Sequence, residues 1–82
     1  MAKLNYGQGN AVMVLVADKM GLAPVHVDDA KKLLEGRPVH PMFGAAVESE
    51  AVKANNRLRS NASLIAEANR LAVEVALEYG FA

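Results

Sequence analysis

The chain has 82 residues, 52% of them apolar but 5% aromatic, with nine acidic and nine basic side chains and so no net formal charge. A length like this forms one small domain, and its core must come from Val, Leu, Met and Ala, because Tyr6, Phe43, Tyr79 and Phe81 are the whole aromatic complement. The neutral balance argues against a dedicated nucleic-acid or membrane-surface binder, and the lack of cysteine excludes disulfides, a thiolate nucleophile and a cysteine-based zinc site.

Residues 1–9 read as an irregular lead-in around Gly7 and Gly9, without the pattern of a secretory signal. Asn10 then stands where it can cap a helix from Ala11 to about Met20, closed by Gly21 in the left-handed position after the last turn. A buried strand is the alternative for Ala11–Ala17, since Val12, Val14, Leu15 and Val16 are apolar on every side; the Asp18-Lys19 ending and the glycine stop favour helix. That run is the longest apolar stretch and falls far short of the ~20 residues a membrane helix needs, so a soluble, cytoplasmic protein is expected. The stretch Gly7-Gln8-Gly9-Asn10-Ala11-Val12 resembles the opening of a dinucleotide-binding fingerprint. Val12 sits where the third glycine belongs, no strand precedes it, and the chain is too short for the full sheet. No cofactor is expected.

Pro-Val-His occurs twice between Pro24 and His40, with Asp28 and Asp29 between the copies. Asp28 is placed to cap a second helix, Asp29 to put negative charge in its first turn, and Ala30, Leu33 and Leu34 to form its apolar face. Gly36 then ends the helix, and Pro38 follows. About seven helical residues, ~10 Å of helix, would separate His26 from His40. Two ligands of one metal must each approach it to ~2.0–2.1 Å, so the histidines read as helix punctuation and no metal is expected.

Pro41 suits the first position of a third helix. From Met42 to Tyr79 there is no proline, and Gly80 can supply the stop, with Phe81 folding back on Val75 or Ala76. Within this span Val47, Ala51, Ala54, Leu58, Asn61, Ile65, Ala68, Ala72, Val75 and Tyr79 recur at alternating spacings of four and three, the rule of a coiled-coil seam. Leu64 and Leu71 lie off the seam and widen the stripe, as packing on the chain's own helices would require. The weak stretch KANNRLRSN, Lys53 to Asn61, leaves two readings. A continuous helix is favoured; a break capped by Ser60 or Asn61 would instead give a four-helix bundle.

A helix-turn-helix reading fits poorly. The connector Gly36–His40 is long for that motif, and the following helix would lead with Met42, Phe43, Glu48 and Glu50 where base-reading side chains are needed. Ser49, Ser60 and Ser63 lack an evident base, so no enzyme activity is expected. The expected fold is therefore all-α, a small helical domain with two short helices packed on a long C-terminal helix that is open to a break. The expected function is protein–protein contact, as adaptor, inhibitor or assembly subunit. Self-association as a homodimer would use Ala54, Leu58, Ile65, Ala72 and Val75, with Lys53, Arg57 and Arg59 as a polar contact patch. The alternative is a nucleic-acid accessory protein touching phosphate through those three cations. Compact neutral helical chains of this kind occur among small accessory proteins, an analogy of type that names no partner.

Overall fold

A computed structural model describes residues 3–81. Among them the chain is all-α, with α1 (Tyr6–Lys19), α2 (Val27–Leu34), α3 (Pro41–Arg59) and α4 (Ala62–Glu78) and no strand. No helix among the described residues is long and apolar enough to cross a membrane.

The first helix begins at Tyr6, not Ala11, because its cap is Asn5 and not Asn10. Asn5 Oδ1 accepts from the Gln8 amide at 2.8 Å, and Gln8 Oε1 accepts from the Asn5 amide at 3.0 Å. This reciprocal capping box satisfies two donors that an uncapped helix start would leave open. It absorbs Gly7 and Gly9 into the first turns, so the glycine-rich stretch is helix and forms no phosphate-cradling loop. The lead-in thus shrinks to its first few residues, of which 1 and 2 lie outside the described residues.

From Ala11 to Ala17 every side chain except the half-buried Met13 is at most 5% exposed. The cause is position: α1 packs against each of the other three helices, while α2 and α4 do not pack on each other. A helix that is apolar all round is a helix surrounded on all sides. The run that sequence left open between helix and strand is the central helix of the bundle. It ends as expected at Gly21, whose φ of 77° is left-handed.

Both Pro-Val-His copies lead into helices, as the sequence indicates. His26, not Asp28, is the residue before α2, so Asp28 and Asp29 fall inside the first turn, where their charge faces the positive helix end. His40 caps α3, its Nδ1 accepting from the Met42 amide at 3.0 Å, and Pro41 takes the first helical position.

The favoured continuous helix is corrected at Ser60–Asn61. Asn61 turns extended, and its Oδ1 accepts both from the Ser63 amide at 3.1 Å and from the Ser63 hydroxyl at 2.7 Å, starting α4 afresh. An unbroken helix over 41–78 would be about 57 Å long at 1.5 Å per residue. The longest dimension of the molecule is 34 Å, and its radius of gyration of 11.8 Å matches the ~11.7 Å of a folded chain of this length. The corner is what lets α4 fold back onto α1. Asn61→Ala should destabilise the fold by about 1 kcal/mol, lowering Tm by about 4–8 °C in a circular dichroism melt. An unchanged Tm would mean that packing of Leu58 and Leu64 sets the corner without the cap.

The break also divides the expected seam. Val47, Ala51, Ala54 and Leu58 face the core from α3, and Ala68 and Val75 from α4. Asn61 is spent as a cap, and Ile65, on the seam, is 38% exposed. Leu71, off the seam, is buried instead. A four-three register drawn through 47–79 loses phase where the chain turns, so the ten positions form no single stripe. All buried side chains among the described residues are apolar.

Candidate functional site

Three surface features carry chemistry or unusual composition. The first is at the paired starts of α2 and α3, where the Phe43 ring lies between the two histidines, 5.9 Å from the centroid of each. The rings play different parts. His26 Nδ1 is 3.1 Å from Asp29 Oδ2, so it carries a proton and donates to the carboxylate. His40 Nδ1 accepts from a backbone amide, so its proton sits on Nε2. A neutral His40 in this arrangement has no free lone pair to offer a metal. The pair are two helix starts that both contact one phenyl ring, His26 tilted to it by 36° and His40 edge-on at 63°.

The second feature is the expected cationic patch. A helix advances about 100° per residue, which puts Lys53 and Arg57 about 40° apart on one flank of α3 and Arg59 about 160° away from Arg57 on the other. Lys53 and Arg57 line a cleft with Glu50 and Ala54 on one side and Ala17, Leu22, Ala23 and Pro24 on the other. The structure thus brings two of the three cations together and leaves Arg59 apart. Lys53, Arg57 and Arg59 form no ion pair among the described residues, whereas Arg70 pairs with both Glu67 and Glu74. The connector wall of the cleft is fixed by the Val25 amide donating to Glu50 Oε1 at 3.1 Å.

The third feature was not read from the sequence. Around α4 the apolar arc starts at the core residues Ala68, Leu71 and Val75 and does not stop where the chain's own contacts stop. It continues through Ala72, Ile65 and Ala76 to Val73 and Leu77, interrupted by Asn69; Val73 and Leu77 are each 60% exposed. With Val12 of α1 and Leu4, which is 38% exposed, they border an apolar groove of about 270 Å³. Of the five expected interface residues, Ala54, Leu58 and Val75 are at most 5% exposed within their own chain, and Ile65 and Ala72 belong to this arc. The signal for Val73 and Leu77 was present as their spacing of four, but a template restricted to the seam register left both out.

Comparison with protein-family models, curated proteins and solved structures finds no match to this chain.

Proposed function

We propose that the protein is a contact module, an adaptor, inhibitor or assembly subunit, that self-associates through the exposed apolar face of α4. The supporting observation is the width of that arc. A helix packing on its own domain needs an apolar stripe of about 100°, and α4 carries roughly twice that. Beyond the core positions, Val73, Leu77 and Leu4 form a contiguous exposed patch over the half-buried Ala72 and the buried Ala76, with the exposed Ile65 on the far side of Asn69. Contiguous exposed apolar surface of this kind marks interaction sites more often than single exposed residues do.

A second copy of the chain fits this surface on charge. On α4, Arg70 lies 3.0 Å from Glu74 and 3.4 Å from Glu67, and Glu78 lies 3.9 Å from Lys19 of α1, all on the side of the helix away from the apolar arc, and the whole chain has no net charge. Two copies therefore approach without long-range repulsion, and an isologous pairing sets the same uncharged face against itself. The rival reading, phosphate contact through Lys53, Arg57 and Arg59, draws support from the absence of carboxylate partners for the three among the described residues. Their separation around α3 and the neutral balance weigh against it.

Leu77→Glu tests the proposal, since its side chain is mostly in solvent and the fold does not depend on it. Light scattering over a dilution series should show a wild-type dimer and a Leu77→Glu monomer with the same circular dichroism spectrum. A wild-type chain that stays monomeric at the highest concentration rules out self-association. Arg57→Ala with Arg59→Ala should leave the dimer intact.

A further inference from the structure

We propose that the cleft between the α1–α2 connector and α3 seats an acidic segment of a partner protein, one apolar side chain on its floor and an adjoining carboxylate between Lys53 and Arg57. The inference is separate from self-association, because the cleft shares no residue with the α4 groove.

Size decides the class of ligand first. The cleft holds about 220 Å³, less than the ~300–1,000 Å³ typical of pockets for cofactors and other small molecules. It has room for a single side chain. Its floor is apolar, from Ala17, Leu22, Pro24 and Ala54, which selects an aliphatic anchor. Its rim sets the charge. Lys53 and Arg57 stand one helical turn apart and, like Lys31, Lys32 and Arg59, have no carboxylate partner among the described residues, while Lys19 and Arg37 have one each and Arg70 has two. The rim carboxylate, Glu50, is engaged by the Val25 amide. A bound carboxylate would find two free cations, and Arg57 can hold it through two parallel N–H donors.

The connector wall is shaped against local preference. Ala23, which lines the cleft, has a φ of 51°, and His26 has a φ of 61°. An L residue avoids this left-handed region because its Cβ crowds the carbonyl oxygen. Backbone held there gathers at binding sites, where the surroundings enforce it. Here the Val25–Glu50 bond and the His26–Asp29 pair hold the connector in place.

The test uses the full chain, labelled with nitrogen-15, and the acetylated, amidated peptide Leu-Glu-Glu-Leu as probe. Saturable amide shifts are expected at Ala23, Val25, Lys53 and Ala54. Joint Lys53→Gln and Arg57→Gln substitution should weaken binding about tenfold, each rim pair contributing about threefold. Arg59→Gln should leave it unchanged. The proposal is overturned if these amides do not move, or if the Leu-Gln-Gln-Leu peptide binds equally well. It is also overturned if a short thymidylate oligonucleotide shifts the same amides at lower concentration, which would make the rim a phosphate site. Repeating the titration on Leu77→Glu separates this result from the fate of the dimer.

Discussion

Leu58→Glu should unfold the protein outright, and should not convert a dimer into folded monomers. Leu58 is 3% exposed and packs in the one hydrophobic core together with Val47, Leu71 and Val75. Truncating a core leucine to alanine costs about 2–5 kcal/mol, and a carboxylate in its place adds the penalty of a buried charge with no partner. A domain of this size has about 4–12 kcal/mol of stability in total, at 0.05–0.15 kcal/mol per residue. The substitution therefore consumes most or all of it. Circular dichroism should show no cooperative melt, while Leu77→Glu, at the surface, stays folded and melts cooperatively, with a Tm lowered only by the loss of the dimer. A Leu58→Glu chain that remains folded as a monomer would mean that the buried face of α3 is a subunit interface in solution and not core.

Much of the fold could be read in advance because each helix carries its own end signals. Gly21, Gly36 and Gly80 all adopt positive φ after α1, α2 and α4, and Pro41 opens α3. Helix starts were harder. Asn5 and Asn10 are equally good caps by residue type, and the decision fell to Gln8, whose side chain closes the box with Asn5. Glycines at 7 and 9 argued for a loop; a double-capped first turn and a fully buried continuation outweigh their propensity cost of about 1 kcal/mol each.

The corner at Asn61 shows a different limit. Asparagine at a seam position and asparagine at a helix cap are the same letter in the same place. What separates them is the Ser63 hydroxyl and amide converging on its side chain, and the need of α4 to reach α1. The first is a local contact that a helix passing through Asn61 would not make, and the second is a tertiary fact. Of the sites, the cations Lys53 and Arg57 were legible as exposed charge, but the cleft they flank depends on a connector with two non-glycine residues in left-handed backbone, which no sequence rule anticipates. The exposed α4 face depends on knowing where α1 and α3 stop covering it.

Phe81→Ala should have the second largest effect, lowering Tm by at least about 12 °C. Two groups bring the ring inward. Gly80, with φ of 84°, reverses the chain after α4, and the Phe81 amide donates to the Ala76 carbonyl at 2.9 Å while the Gly80 amide donates to Leu77 at 3.1 Å. This is the double bond pattern of a Schellman end, and it leaves Phe81 7% exposed in the core. A buried aromatic ring covers about 150–250 Å², so in a core made mainly of Ala and Val it fills space that no neighbour is large enough to fill. Phenylalanine to alanine in such a place costs about 3–5 kcal/mol, and each kcal/mol is worth about 4–8 °C at this size. Gly80→Ala supplies the control. A Cβ there meets nothing within 4 Å, so its cost is backbone strain alone, about 1–2 kcal/mol. Urea denaturation should rank Phe81→Ala well below Gly80→Ala in stability. The reverse ranking would mean that the turn itself, and not the ring it delivers, holds the end of α4 against α1.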